Sequence, residues 1–342
     1  MRKEKLTLWQ PEEYTYPMAM GFTPNIMTYI HDEDTQIRPV MIVVPGGGYC
    51  VVSPTEAEIV AFDFYEKGYN AFVLTYTTNL LMQIPLGDQP MKDLSRAIRY
   101  VRKNAEDFHA DPDRVVVCGF SAGGHLCGSV CVHYKDVEDR DAEYQAYSNR
   151  PDAAILSYPV ITTGQYTHQG SIMALLGVRY DLDAKGLVCA ASEAELEYMS
   201  LEKQVTPDTP PCFIWQTAED EAVPVENSYL FAQACKAQGV PFAHHVFSKG
   251  RHGLSLANEV WASGQFGEPY TMEQTMELVN AVRDRQIPLP EDTRESILKE
   301  FDFSDPNEMF KNMYVNPEVR IWPELAKQWL EGLWHSEDNS MK

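Results

Sequence analysis

A serine between glycines stands where a predicted strand gives way to a predicted helix. The apolar run at residues 114–118 leads into Gly119-Phe120-Ser121-Ala122-Gly123, and the pattern that follows is that of a helix. A sharp turn of this kind strains the backbone of its central residue, so the flanking positions must be nearly free of side chain. The helix N-terminus behind the serine oxygen favours developing negative charge. The pattern therefore predicts that Ser121 is a nucleophile for acyl transfer.

A serine hydroxyl reacts only when a base takes its proton, and that base is most often a histidine. Of the nine histidines, His252 stands in a glycine-flanked loop after the predicted strand at residues 242–247, where its ring can reach the serine. His244 and His245 lie inside that strand, and His125 follows the serine turn, where it either lines the pocket or packs beneath it. Position therefore favours His252 as the base.

The base in turn needs a carboxylate that orients its ring. Glu219 and Asp220 follow directly on the predicted strand at residues 211–216, so the chain supplies its nucleophile, acid and base in the order Ser, Asp or Glu, His. This is the chain order in which a triad is assembled on a parallel sheet. Glu221 comes next in the chain. Only one of these three acids can point at His252, and the residues alone leave open which of them does so.

A glycine run supplies the remaining part of such a site. Acyl transfer needs two backbone N–H groups aimed at the developing oxyanion. One is expected from Ala122, directly after the nucleophile, and the other from Gly47 or Gly48 in the run Pro45-Gly46-Gly47-Gly48-Tyr49. Glycines let the backbone approach a substrate closely. A phosphate-binding loop is not predicted, because neither Gly-Lys-Ser/Thr nor a G-x-G-x-x-G pattern is present.

These residues must be positioned by an α/β fold. Short apolar runs alternate with helical patterns, which predicts a mostly parallel central sheet flanked by helices on both faces. The first residues and the segment 23–31 are expected to add antiparallel strands at one edge. Helical spacing predicts a long helix at 89–108 and a final helix at 322–334 that packs on the sheet. The remaining predicted strands lie at residues 38–45, 70–76, 114–118, 153–158, 211–216 and 242–247.

The pattern predicts a single domain over residues 1–342 with two additions. Residues 162–208 include a helical stretch at 193–199 between two strands on the catalytic side, where we expect a small cap insertion. Residues 262–318 carry helical patterns without an evident strand and are expected to form a helical insertion before the final helix.

Composition narrows the class of partner. The formal net charge of −22 argues against nucleic acid and anionic membrane surfaces and favours a neutral substrate. No apolar stretch is long enough to span a bilayer, and the N-terminus lacks the apolar region of a signal peptide.

Seven cysteines, several of them inside predicted elements, indicate reduced, buried thiols. Cys127 and Cys131 lie four residues apart without further ligands nearby, so zinc binding is not predicted. These features predict a cytoplasmic protein.

Four segments taken together resemble bacterial α/β-hydrolases of the acetylxylan-esterase-like group, which is related to the feruloyl-esterase-like and hormone-sensitive-lipase-like branches. They are the glycine run at 45–49, the serine motif with its following Gly-His-Leu, residues 220–228, and residues 250–254. In that group the triad acid lies four residues before the proline of a Val-Pro pair, so the resemblance implies Asp220 rather than Glu219. Pro45 stands where the lipase-like branch has histidine, which favours the esterase group.

The resemblance implies an α/β-hydrolase fold and a serine esterase that needs no metal or organic cofactor. It implies hydrolysis of short acyl esters, most readily acetyl groups on xylo-oligosaccharides, by a Ser-His-Asp acyl-enzyme mechanism. The expected partner is a small ester substrate, without nucleic acid or membrane, and the sequence leaves a homo-oligomer open. Alternatives are a peptidase of the same fold and a carboxylesterase for small esters unrelated to sugars. A binding protein without activity is less well supported, because such proteins usually lack a triad member.

Overall fold

The computed structural model describes residues 1–181, 184–302 and 313–340, with side chains up to His335. Its main sheet has eight strands in the order β1-β2-β4-β3-β5-β6-β9-β10. β1 and β2 are antiparallel to their neighbours, and the remaining pairs are parallel. The predicted parallel sheet with an antiparallel edge is therefore confirmed. The strands are β1 Lys5–Thr7, β2 Asn25–Tyr29, β3 Arg38–Val44, β4 Asn70–Thr75, β5 Ala110–Phe120, β6 Ala153–Ser157, β7 Val178–Asp181, β8 Gly186–Cys189, β9 Cys212–Thr217 and β10 Phe242–Phe247.

Helices cover both faces of this sheet. α2, α3 and α7 pack on one face, whereas α1 and α11 pack on the other. None of the helices described is long and apolar enough to cross a membrane. The helices are α1 Glu58–Glu66, α2 Gln89–Lys103, α3 Ala122–His133, α4 Ala142–Gln145, α5 Gln169–Leu176, α6 Glu193–Tyr198, α7 Glu226–Gln238, α8 Glu259–Ala262, α9 Glu273–Arg283, α10 Glu291–Glu300 and α11 Trp322–Ser340.

The central strands are apolar throughout because both of their faces are buried. Successive side chains of a strand point to opposite faces. In β3, Val40 and Ile42 accordingly join the core beneath α2 and α3, while Met41 and Val43 join the core beneath α1 and α11. A parallel strand that is buried on both faces needs apolar residues at nearly every position.

The register of the sheet brings the ends of five strands together. Val44, the last residue of β3, pairs with Gly119 of β5, and Phe120 pairs with Ser157 of β6. Thr217 of β9 pairs with Phe247 of β10. The loops that follow these strands therefore emerge at one carboxyl edge, which is where open α/β sheets place their sites.

Helix boundaries differ from the sequence pattern in two places. α2 ends at Lys103 rather than at 108; the Asn104 side chain donates to the carbonyl of Tyr100 at 2.7 Å, and residues 104–109 form turns before β5 begins at Ala110. α11 continues to Ser340, beyond the predicted end at 334. The apolar residues predicted to pack this helix on the sheet do so, with Trp322 stacked on Trp215 at 5.4 Å between ring centroids.

The two predicted insertions have different contents. Residues 162–208 contain α5, a two-stranded antiparallel hairpin of β7 and β8, and α6, whereas the sequence predicted only the last of these. Residues 262–318 contain α9 and α10, and part of this segment, residues 303–312, lies outside the described residues. The division into one domain, a cap and a helical insertion stays a prediction.

Candidate active site

Ser121 occupies a strained turn between β5 and α3. Its backbone has φ 53° and ψ −117°, a conformation that non-glycine residues rarely adopt. The flanking glycines are needed for close backbone approach. A Cβ at Gly119 would lie 2.2 Å from the carbonyl oxygen of Gly123, and one at Gly123 would lie 2.1 Å from the carbonyl oxygen of Val44. The motif thus packs the start of α3 directly onto β3 and presents the serine at the edge of the sheet.

His252 connects the serine to a buried acid. Its Nε2 lies 2.8 Å from Ser121 Oγ, and its Nδ1 lies 2.7 Å from Asp220 Oδ2. A carboxylate only accepts hydrogen bonds, so Nδ1 carries the proton and Nε2 is free to accept from the serine hydroxyl. The Asp220 side chain is fully buried, while that of His252 is 22% exposed. The arrangement can pass the serine proton to an imidazole that remains accessible to a leaving group.

Asp220 is held by backbone as well as by the histidine. Its Oδ1 accepts the N–H groups of Ala222 and Val223 at 3.0 and 2.9 Å. These bonds close a tight turn after β9 and aim Oδ2 at the imidazole. Glu219, the other acid considered from the sequence, is exposed and makes no such contact in the part of the chain described. The structure therefore brings Ser121, His252 and Asp220 together and leaves Glu219 outside.

The glycine run begins beside Ser121, because a Cβ at Gly46 would lie 2.9 Å from Ser121 Cβ. Gly47 and Gly48 have φ of 121° and 65°, which glycine adopts without strain. The N–H of Gly46 donates to Glu56 Oε2 at 2.7 Å. Within the described residues, the N–H groups of Gly47, Gly48 and Ala122 donate no hydrogen bond. These N–H groups are therefore available to a ligand oxygen, and the assignment of Ala122 and of Gly47 or Gly48 to an oxyanion hole stays a prediction.

Two buried residues beside this loop were missed by sequence reasoning. Glu56 accepts a hydrogen bond from Tyr158 Oη at 2.6 Å in addition to the one from Gly46. Burial raises the pKa of Glu56, and the bonds from Tyr158 and Gly46 oppose that rise. The Tyr158 ring in turn packs edge-on against His252 at 4.9 Å. No motif marks either residue, because their partners are distant in sequence.

The other histidines have separate roles. His125 is fully buried, accepts from Tyr49 Oη at 2.9 Å and donates to the carbonyl of Met199 at 3.0 Å. Burial lowers the pKa of His125 to about 4, so its ring is neutral and structural. His244 bonds Ser228, and His245 stacks on Phe213. Of the two positions considered for His125, the structure therefore shows packing beneath the serine turn.

His168 approaches the site from the insertion at residues 162–208. Its Nδ1 accepts from the N–H of Ser171 and so caps α5. Burial lowers the pKa of His168, and the nearby His252 contributes to that shift. Within the described residues, no group of three His, Cys, Asp or Glu side chains is placed to hold a metal ion.

Two curated relatives share most of this region. The endo-1,4-beta-xylanase B of Butyrivibrio fibrisolvens is 51% identical over 276 residues, which are 81% of this chain and 42% of that protein. The acetylxylan esterase of Xylanibacter ruminicola is 29% identical over 221 residues, which are 63% of this chain and 41% of that protein. The chain spans about two fifths of the length of these relatives.

A solved structure is similar along nearly its whole length. The acetyl ester-xyloside bifunctional hydrolase from Caldicellulosiruptor lactoaceticus superposes with a TM-score of 0.68 at 35% identity, and the match covers 84% of this chain and 98% of that one. The BD-FAE family model matches residues 27–235, which carry the glycine run, Ser121 and Asp220. Because that match covers more than half of the chain, the protein belongs to the BD-FAE family, and its fold is that of the α/β-hydrolases.

Proposed function

We propose that this protein is a serine esterase that removes short acyl groups, with acetyl esters as its preferred substrates. The observation that carries the proposal is the continuous hydrogen-bond chain from Ser121 Oγ through His252 to Asp220, with distances of 2.8 and 2.7 Å. Free N–H groups stand beside the nucleophile, and a triad with such donors is the constellation of acyl transfer.

The first half-reaction forms an acyl-enzyme. His252 Nε2 takes the proton of Ser121 as Oγ attacks the ester carbonyl. The N–H groups of Ala122 and of Gly47 or Gly48 hold the oxyanion, and Asp220 stabilises the imidazolium. His252 then gives its proton to the alcohol oxygen, so the ester C–O bond breaks and the alcohol leaves.

The second half-reaction releases the acid. Water enters where the alcohol was, and His252 Nε2 takes one of its protons as the oxygen attacks the acyl carbonyl. The same N–H groups hold the second oxyanion. The proton then passes from His252 to Ser121 Oγ as the acyl-serine bond breaks, which restores the free enzyme.

The names of the relatives support a xylan-derived substrate. One similar protein is named an acetylxylan esterase, and a similar solved structure is titled an acetyl ester-xyloside hydrolase. We therefore propose acetylated xylo-oligosaccharides as the substrate, with a neutral alcohol part that suits the net charge of −22. Ser171 Oγ of α5 lies 3.9 Å from the position of a Cβ at Gly48, so the insertion borders the predicted oxyanion loop. Residues 162–208 are proposed to cap the alcohol side. A cytoplasmic location remains a prediction from the sequence.

The test compares p-nitrophenyl acetate, butyrate and octanoate with wild-type protein and Ser121→Ala. A triad enzyme loses about 10⁴–10⁶ of its turnover in this variant. The proposal also predicts that acetate is the fastest ester and that acetylated xylo-oligosaccharides release acetate. Equal turnover in wild type and Ser121→Ala would exclude the mechanism. Faster cleavage of an acylamino-acid p-nitroanilide than of any ester would instead favour a peptidase of the same fold.

A further inference from the structure

Glu56 is a buried carboxylate without a cationic partner among the described residues. It is 4% exposed and ends the short 3₁₀ turn Pro54–Glu56 that follows the glycine run. Its oxygens accept from two neutral donors, the Gly46 N–H at 2.7 Å and Tyr158 Oη at 2.6 Å. Burying a carboxylate is unfavourable unless it is well bonded. The burial of Glu56 beside the nucleophile therefore suggests that its carboxylate has a function.

Tyr158 links Glu56 to the loop that carries His252. It follows β6 with a positive φ of 36°, an uncommon conformation for an aromatic residue. While its hydroxyl donates to Glu56, the same oxygen accepts the N–H of Ser255 at 3.1 Å. Its ring packs against the His252 ring at 4.9 Å and 70°. One hydroxyl therefore connects Glu56 to the chain three residues beyond the base.

Gly46 is pressed between Glu56 and the nucleophile. A Cβ at this position would lie 2.9 Å from Glu56 Oε2, 2.9 Å from Ser121 Cβ and 2.7 Å from the carbonyl oxygen of Phe120. Because the Gly46 N–H is bonded to the carboxylate, this peptide has a fixed orientation. The next two peptides have bonds of their own, because the Gly46 carbonyl accepts the N–H of Ser53 at 2.9 Å and the Gly47 carbonyl accepts the N–H of Cys50 at 3.0 Å. Glu56 therefore anchors the peptide at which the glycine run begins.

We propose that Glu56 is a positioning residue of the esterase reaction. Through Gly46 it anchors the start of the glycine run that carries the proposed oxyanion-binding N–H groups, and through Tyr158 it holds the loop that carries His252. Its negative charge also favours the cationic form of His252 that arises during attack. This inference rests on the proposed function, because both effects matter only while an oxyanion and an imidazolium are being formed.

Four titratable side chains of the described residues interact with the Glu56 charge. Tyr76 and Tyr158 stand directly after β4 and β6, Cys118 lies in β5, and His252 lies in the loop after β10. Burial raises the pKa of Tyr76, Cys118 and Tyr158 well above their usual values, so these three stay neutral in the pH range of the assay. His252 is therefore the neighbour whose charge changes during the reaction.

The test is the variant Glu56→Gln, which keeps the length of the side chain and removes its charge. Turnover of p-nitrophenyl acetate is expected to fall about tenfold or more, with KM changed less than about threefold, because the lost interactions act on the transition state. The acid limb of the kcat/KM profile is expected at lower pH than in wild type, because a nearby anion no longer favours the imidazolium. A residue that only supports the fold would lower the amount of active protein without moving that limb.

Tyr158→Phe provides an independent test that leaves Glu56 in place. It removes the hydroxyl between Glu56 and Ser255, so kcat is expected to fall severalfold at nearly unchanged KM. The double variant with Glu56→Gln is expected to lose less kcat than the product of the two single losses, because both substitutions affect the hydrogen bond between Tyr158 and Glu56. Titration of reactive Ser121 with a phosphonate counts the competent molecules, so kcat is expressed per folded active site. If Glu56→Gln does not fold, Tyr158→Phe decides alone.

Asp93→Asn is the matched control. Asp93 is also a fully buried carboxylate held by neutral donors, Trp9, Thr77 and Gln89, and it contacts none of the residues around Ser121. It is expected to lower stability without changing kcat per active site or the pH profile. The inference would be overturned if Glu56→Gln left both kcat and the acid limb unchanged while Ser121→Ala remained inactive. If only Tyr158→Phe folds, an unchanged kcat in that variant would overturn it. An active Ser121→Ala would instead overturn the proposed function itself.

Discussion

The indole N–H of Trp322 donates to the carbonyl of Ser255 at 2.8 Å, which ties the start of α11 to the loop that carries His252. The same ring is fully buried and contacts Trp215 and Phe120 at 5.4 and 5.9 Å between centroids. The last helix therefore supports the catalytic edge from beneath. The position of the proposed base depends on a contact made 70 residues further along the chain (322 − 252 = 70).

Trp322→Phe is expected to lower both stability and turnover. The variant keeps an aromatic ring but leaves the Ser255 carbonyl without its donor, which costs about 1–3 kcal/mol for a buried group. Because Ser255 also donates to Tyr158, we expect kcat for p-nitrophenyl acetate to fall several-fold as well. Urea denaturation and steady-state kinetics measure the two effects. Trp329→Phe is the control, since this half-buried ring packs on Phe213 away from the loop. Equal kcat for both variants would contradict the prediction.

Gly123→Ala is expected to abolish the site rather than to perturb it. The added Cβ would lie 2.1 Å from the Val44 oxygen and 2.4 Å from the Pro45 oxygen, both of which are backbone atoms that cannot yield cheaply. α3 would have to move away from β3, which separates Ser121 from the glycine run. The measurement is thermal unfolding together with phosphonate labelling of Ser121.

Gly332→Ala is the matched control for that substitution. Gly332 lies inside α11, and nothing stands within 4 Å of a Cβ built there. Alanine is favoured over glycine in a helix by about 0.5–1 kcal/mol, so this variant is expected to be slightly more stable and fully labelled. Full labelling of Gly123→Ala would show that the serine turn tolerates a side chain and would refute the packing argument.

The strand ends and the motifs that follow them account for what the sequence predicted well. Ser121, Asp220 and His252 each follow an apolar run, and parallel strands deliver such positions to one edge whatever the lengths of the connections between them. The spacing of Leu94, Ile98 and Val101 likewise located the buried face of α2, because one face of a helix repeats every three or four residues. In these cases the apolar pattern along a single strand or helix was sufficient to predict where its residues lie.

Contacts between distant residues account for what the sequence did not predict. Glu56 and Tyr158 are 102 residues apart, and neither stands in a recurring motif, so only the folded chain reveals their bond. The hairpin of β7 and β8 was missed for another reason. Tyr180 and Leu187 in it are 62% and 58% exposed, so its apolar side chains do not mark a buried face. α2 ends at Lys103, and the turns that follow it up to residue 109 continue the helical pattern that predicted an end at 108.

Asp220→Asn is expected to lower turnover of p-nitrophenyl acetate by about 10⁴ without loss of the fold, the effect typical of replacing the triad acid by its amide. The amide cannot accept from His252 on the side where it presents its NH₂ group, so the imidazole no longer holds its proton on Nδ1. Glu219→Gln is the control, because this exposed side chain is expected to leave kcat unchanged. A larger loss in Glu219→Gln than in Asp220→Asn would assign the acid to the neighbouring position.

The stability of the protein is expected to decrease in mild acid because of His125. Its pKa in the folded state is about 4, lowered by burial from 6.5. The unfolded chain therefore binds a proton that the folded state does not bind between these values. The contribution of His125 to the free energy of unfolding is fully present above about pH 6.5. It is lost as the pH falls toward 4, by roughly 3 kcal/mol in total.

The measurement for this prediction is the free energy of unfolding in urea at several pH values between 7.5 and 4.5, for wild type and His125→Gln. The variant is expected to be less stable than wild type at every pH, because it disturbs the bonds to Tyr49 and Met199. Its pH slope, however, is expected to be smaller than that of wild type by up to one proton, because glutamine does not titrate. The difference in stability between the two proteins should therefore narrow as the pH falls. A constant difference across this range would mean that His125 binds its proton equally in the folded and unfolded states, and burial would then not be what sets its charge.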